Sequence, residues 1–320
     1  MEACPYDFIV SKVRAYSEST MEYFLELFFG GLTRGSIYAL IALGYTMVYG
    51  IIELINFAHG EIYMIGAFTA LIVAGVLTAL GFNSVAILIL ATIVAVIYSS
   101  AYGYTIEKIA YRPLRSAPRL SPLISAIGMS LFLQNYVLLA QTSDFLPFPE
   151  LLPHFEFMDP YYAIMGSAEL IIILTTVTVM IALSCMIKFT KIGKAMRATA
   201  QSKKMAMLVG VNVDKVISMT FVTGSALAAI GGVLIASHIG QINFYIGFIA
   251  GIKAFTAAVL GGIGSIPGAV LGSLILGWTE SFCTGYISSD YEDVFAFALL
   301  VLILIFRPAG LLGRSSTQKV

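Results

Sequence analysis

The chain has 320 residues, 59% of them hydrophobic and only 11% charged, with a mean hydropathy of +0.92. That is too little polar surface to cover a water-soluble globule, so the composition specifies a polytopic membrane protein. Eighteen Lys and Arg balance eighteen Asp and Glu, so net charge points to no nucleic acid, and three scattered cysteines without CxxC spacing specify neither a disulfide framework nor a metal site.

Residues 1–20 lack the unbroken apolar core of a cleavable signal peptide, so insertion is expected to rely on later segments. About 20 helical residues cross a hydrocarbon core of about 30 Å. Runs of that kind occur near 24–50, 57–80, 85–107, 121–140, 168–188 and 216–238. A glycine-rich block at 247–282 and a last apolar run at 293–306 follow. The runs are continuous rather than alternating, which excludes a barrel; the expected fold is all-α, with about eight or nine transmembrane or half-membrane helices.

The basic residues orient these runs. Segment 108–119 carries Lys108, Arg112, Arg115 and Arg119; segment 188–215 carries Lys188, Lys191, Lys194, Arg197, Lys203, Lys204 and Lys215; the tail carries Arg307, Arg314 and Lys319. The positive-inside rule makes these stretches, and the C-terminus, cytoplasmic. Segments 141–167 and 279–293 hold acidic residues and no Lys or Arg, which fits the external side. The N-terminus is then external if 24–50 crosses once. Lys12, Arg14 and Arg34 pull the other way, and two short helices with an internal N-terminus are the alternative.

On this map the block GIKAFTAAVLGGIGSIPGAVLGSLILGWTE (251–280) must enter and return. Gly261, Gly262, Gly264 and Pro267 interrupt it, so it reads as a broken pair of helices. Gly264, Gly268 and Gly272 stand at the four-residue spacing that lets helices approach closely in lipid. Lys253, a lone cation near the start, is expected to snorkel to an interface.

GIIELINFAHGEIYMIG (50–66) groups Glu53, Asn56, His59 and Glu61 between apolar flanks. Asn56, His59 and Gly60 are expected to end one helix and open the next, with Glu61 in its first turn, where the helix dipole favours a carboxylate. The segment reads either as a polar break lining a translocation route or as a cap and turn needed only for folding, and the charge map puts it near the cytoplasmic end. KFTKIGKAMRATAQSKKMAMLVGVNVDKVISM (188–219) interleaves cations with Ala195, Met196, Ala198, Ala206, Met207 and Val209 ahead of Gly210. It predicts two short amphipathic helices at the membrane surface, touching either a partner protein or anionic headgroups.

No GxxxxGK[ST] phosphate loop, HExxH or GxSxG occurs, and His is present only three times, so no catalytic site is expected. What remains is transport.

GKAMRATAQSKKMAMLVGVNVDKV resembles the coupling segment of permease subunits in binding-protein-dependent ABC importers. INFAHGE with YMIGAF, and GIKAFTAAVLGGIGSIPGAVLG, resemble the Liv-type branched-chain amino acid permeases. The likeness runs from about Gly31 to Gly313. It implies a non-catalytic subunit without cofactor, in a prokaryotic cell membrane. A second permease would complete the pore, two cytoplasmic ATPase subunits would drive it, and an external binding protein would deliver branched-chain amino acids. Residues 1–22 are then an N-terminal extension, 23–313 the permease domain with its coupling segment at 189–215, and 314–320 a cytoplasmic tail. Asn56, His59 and Glu61 are the expected pathway residues. Gly193, Lys194, Arg197, Ala198 and Gly210 are the expected ATPase contacts. Two departures stand out: QSKK (201–204) where the family usually has an acidic residue near Ser202, and Glu53 where the residue is normally uncharged. A self-sufficient carrier or channel, or an importer of sugar, urea or short amides, is the alternative.

Overall fold

A computed structural model describes residues 5–313 except 116, 119 and 163, with side chains from residue 20 onward apart from 160 and 161. Arg119, Arg314 and Lys319, and with them the tail 314–320, lie outside the described residues. The described chain forms eleven α-helices in the order α1 (Pro5–Ile52), α2 (His59–Ala79), α3 (Ser84–Ile106), α4 (Leu120–Ala140), α5 (Ser167–Phe189), α6 (Lys191–Gln201), α7 (Lys203–Leu208), α8 (Val213–Ile239), α9 (Ile246–Gly261), α10 (Ile266–Tyr286) and α11 (Glu292–Phe306). Seven are long and apolar enough to cross a membrane, and α9 and α11 are shorter apolar helices of 16 and 15 residues. The all-α polytopic architecture is therefore as expected from composition and run length. α1 is one uninterrupted helix, which rules out two short helices over 24–50.

α1 is the axis of the bundle: 83% of its most apolar window is buried, against 17% for α5 at the periphery. It packs along α10, α8, α9 and α5. Small residues make these approaches close. A Cβ on Gly31 or Gly35 of α1 would run into the α10 backbone at Trp278 or Leu274, one on Gly277 would meet Gly35 in return, and one on Gly232 of α8 would collide with the Tyr63 carbonyl of α2. In lipid, where apolar burial gives no drive between helices, such close backbone contact is what binds them.

Between α9 and α10 the chain turns through Gly262 and Gly264, at φ +104° and +92°, a region side chains avoid. Ser265 caps α10 by accepting from the Gly268 amide at 3.2 Å, and Pro267 sits in its first turn. Gly268 and Gly272 press on α9 at Gly261 and Ala257, whereas Gly264 belongs to the turn and packs on nothing closer than Gly50.

Segment 141–167 folds over one end of the bundle. Its strand β1 (Leu146–Pro147) pairs antiparallel with β2 (Gln241–Ile242), Phe148 donates its amide to the Gly240 carbonyl, and Phe148, Leu151 and Met158 are buried.

Two groups of charged residues in this apolar bundle are paired. Lys253 does not snorkel: its side chain is 8% exposed and its ammonium lies 3.3 Å from Glu280, 2.5 Å from Glu292 and 2.9 Å from Asp293. Tyr38 donates to Glu280 at 2.7 Å and Arg34 pairs with Glu292 at 3.2 Å, so α1, α9, α10 and α11 share one charge cluster. Where α3 ends in a π-helical turn (Glu107–Tyr111), the fully buried Glu107 accepts from Ser218 at 2.8 Å and pairs with Arg112 and Arg115. Arg115 also reaches Asp214 at 2.5 Å, tying α3 to the start of α8.

Candidate functional site

α1 ends because Glu53 turns left-handed, at φ +62°, a conformation that costs a residue with a Cβ roughly 1–2 kcal/mol. Glu53 is exposed and stands apart from the polar residues that follow it. The chain then re-enters the bundle without helix until α2 begins at His59. Asn56 stabilises this bend. Its carbonyl oxygens accept from the His59 amide at 3.0 Å and, through Oδ1, from the Ala58 amide at 3.1 Å and the Tyr111 hydroxyl at 2.9 Å.

The break lies inside the bundle rather than at its end. His59 packs edge-on to Tyr45, with ring centroids 4.8 Å apart, and fills the space left by Gly44 and Gly224. Gly44 is eight residues before the end of α1, about 12 Å along the axis, so the start of α2 lies alongside α1 rather than beyond its end. Gly60 abuts Gly247 and Gly251 of α9, where any Cβ would collide with backbone. Glu61, 1% exposed, accepts from Ser130 of α4 at 3.0 Å through Oε1, while Oε2 has no partner. Nδ2 of Asn56 and Nε2 of His59 are likewise buried and unpaired, as are Thr46, Ser225, Thr256 and Gln134 on the surrounding helices. Orphaned buried polar atoms are costly and rare. Three of them, on Asn56, His59 and Glu61, fall within six residues at the chain break.

Asn56, His59 and Glu61 are thus brought together, and three partners that sequence reasoning missed, Tyr45, Tyr111 and Ser130, hold them. Ser130 gave no signal, because a single hydroxyl in an apolar run is common, and Tyr111 gave none because it stands in a basic segment whose cations carry the pattern. Beside the motif a groove of about 70 Å³ opens between α4 and α9, lined by Tyr45, Phe57, Ser130, Phe248, Ile252 and Phe255 among others. A second indentation shares Tyr45 and Phe255 and continues along the same face past Tyr49 and Ile263. A larger cavity of about 630 Å³, lined by Glu26, Arg34, Glu169 and His238 among others, lies under the 141–167 segment.

The segment after α5 forms the two short helices expected of it. Thr190 caps α6 by accepting from the Gly193 amide at 3.0 Å, and Gly193 is pressed against the Ile187 carbonyl. Ser202 caps α7, which ends at Gly210 in the left-handed conformation, with the Val211 amide bonded to the Ala206 carbonyl. Lys194 and Arg197 are exposed and Ala198 half-buried; Arg197 donates to the Lys188 carbonyl at 3.3 Å. Lys203 donates to the Ile52 carbonyl at 3.1 Å, which ties α7 to the end of α1 just ahead of the break. A cavity of about 610 Å³, lined by Ile52, Arg115, Lys203, Met207 and Asp214 among others, opens between α7, the end of α1 and the start of α8. Met205, Met207, Leu208 and Val209 project from α7 into the open, Leu208 at 80% exposure. That apolar knob is larger than the sequence pattern suggested.

Residues 27–304 match the family model described as "Branched-chain amino acid transport system / permease component". The chain is 50% identical over 305 residues to the high-affinity branched-chain amino acid transport system permease protein LivH of Escherichia coli K12, covering 93% of this chain and 98% of that protein. It is 50% identical to LivH of Salmonella typhimurium and 52% identical to BraD of Pseudomonas aeruginosa, each over 302 residues and with the same coverage.

Proposed function

Because this chain belongs to the family of branched-chain amino acid transport system permease components, we propose that it is the membrane-spanning permease subunit of an ABC importer for branched-chain amino acids. The observation that carries this reading is half-identity along nearly the full length of both chains, which leaves no room for a different fold or an added catalytic domain in the matched region. A second permease subunit completes the path, two cytoplasmic ATPase subunits drive it, and an external binding protein delivers the substrate. The chain carries no phosphate loop of its own.

The reading assigns 189–215 to ATPase contact, through Gly193, Lys194, Arg197, Ala198, Gly210 and the apolar knob of α7. Support comes from the capped, surface-mounted helices and their bond to the end of α1, a rigid link from a docking surface to the break. Asn56, His59 and Glu61 belong to the translocation path: irregular backbone among helices is tolerated where it lines a cavity, and their unpaired atoms suit a route that is hydrated or occupied in part of the cycle. The positive-inside rule sets α6, α7 and the C-terminus in the cytoplasm of a prokaryotic cell.

The test is reconstitution. The tagged chain, purified from native membranes with its associated subunits and placed in liposomes, should accumulate leucine, isoleucine and valine only with ATP and binding protein. Accumulation by the isolated chain without ATP would make it a self-sufficient carrier and overturn the reading. Accumulation of sugar or urea in place of the branched amino acids would overturn the substrate.

A further inference from the structure

The groove between α4 and α9 is lined by four aromatic rings, two aliphatic chains from α4, Ile252, and the bare backbone of Gly251. Its one side-chain hydroxyl that is not phenolic is Ser130, and that hydroxyl is spent on Glu61. Behind this wall sits a fully enclosed carboxylate with one satisfied oxygen and one orphan. An enclosed carboxylate with an orphan oxygen gains most from a cation brought within reach. No Lys or Arg among the described residues is bonded to it, and Lys253, on the neighbouring helix, is already engaged with three acidic residues.

We propose that this groove seats the transported amino acid, its branched aliphatic side chain against Phe57, Phe248, Ile252 and Phe255 and its ammonium group toward Ser130 and Glu61. The assignment deepens the importer reading and rests on it. Three observations fit this occupant. The space, about 70 Å³ at roughly 10–15 Å³ per water, holds on the order of five waters or one short branched alkyl group. The lining offers apolar contact without selecting a polar side chain, as a pocket that must accept leucine, isoleucine and valine alike requires. The groove is open on its outer face, where Phe248 is 37% and Leu131 51% exposed, and it continues along α9 into the next indentation, so it is half of a path rather than a closed cavity.

The experiment uses the complete transporter, purified through a tag on this chain, reconstituted and illuminated during turnover with photo-leucine, a diazirine analogue of leucine. Label should appear on peptides covering 127–131 and 248–255 and fall at least five-fold with excess leucine but not with equal glutamate. Ile252→Trp, which fills the groove from an already partly open position, should lower that label at least five-fold while the second permease and the ATPase subunits still co-purify. Glu61→Gln, which keeps size and the Ser130 contact but removes the charge, should do the same. Label confined to other segments, label that leucine does not displace, or unchanged label in both variants would overturn the groove. Loss of the second permease from the Ile252→Trp complex would also overturn it, showing a subunit contact instead. A wild-type assembly that accumulates leucine while the groove stays unlabelled defeats this inference alone; one that accumulates no branched-chain amino acid defeats the importer reading as well.

Discussion

Lys253 shows how a single residue can look misplaced until its partners are in view. It is a cation in an apolar half-helix, and only in the folded chain do Glu280, Glu292 and Asp293 converge on it from α10 and α11. Removing one member of a buried ion cluster leaves uncompensated charge and typically costs about 3–5 kcal/mol, whereas replacing both members by neutral groups costs much less. Glu280, with no exposed surface, is the partner that suffers. Lys253→Met should therefore markedly lower the thermal unfolding temperature of the purified chain in detergent, and adding Glu280→Gln should recover most of the loss. If the single variant melts with wild type, the cluster does not support the packing of α9 on α10. Sequence could flag Lys253 as anomalous because a lone charge in an apolar run is a local property. It could not supply partners 27, 39 and 40 residues away.

The elements divide between those that carry the fold and those that carry coupling. α6 and α7 are capped by their own Thr190 and Ser202, lean on the ends of α5 and α1, and leave Arg197 and the Met205–Val209 knob exposed. Arg197 is suited to bidentate contact with a carboxylate or carbonyls on a partner, and its present bond to the Lys188 carbonyl is a single, long one. Arg197→Glu should leave membrane insertion intact, because the remaining basic residues of 188–215 keep their inward bias, and should abolish co-purification of the ATPase subunits and uptake. Lys191→Glu, at the start of α6, should do far less, since a cation touching headgroups is worth on the order of 1 kcal/mol. Equal ATPase recovery in the two variants would remove Arg197 as an anchor. The helices themselves were legible, because amphipathic spacing, Ser and Thr at the starts and Gly at the end are local signals. The extent of the knob was not, since Met and Leu in a surface helix read as buried until a structure leaves them bare.

At the scale of the molecule, the asymmetry of basic residues orients the bundle in the membrane. The charge map puts Gln201 inside the cell and Ser289 outside it, and both are exposed. In a background with Cys4, Cys185 and Cys283 replaced by Ala, Ser289→Cys should react with an impermeant maleimide on intact cells, and Gln201→Cys only after permeabilisation. The reverse pattern would invert the molecule and move the binding-protein face to α6 and α7.

Much of this protein was determined by its sequence alone. Composition set the solvent, run length set the helices, glycine and proline set the turn between α9 and α10, and the INFAHGE stretch announced a polar interruption; each is encoded within a few neighbouring residues. The tertiary structure decided the rest. The interruption lies inside the bundle because α1 overshoots it and α2 starts beside Gly44 and Gly224. Glu61 meets Ser130, and Asn56 meets Tyr111, because packing brings together segments that are far apart in the chain. A polar residue in an apolar run has no preferred partner until packing supplies one, so depth, pairing and the groove beside Ser130 are properties of the assembled helices and of no single segment.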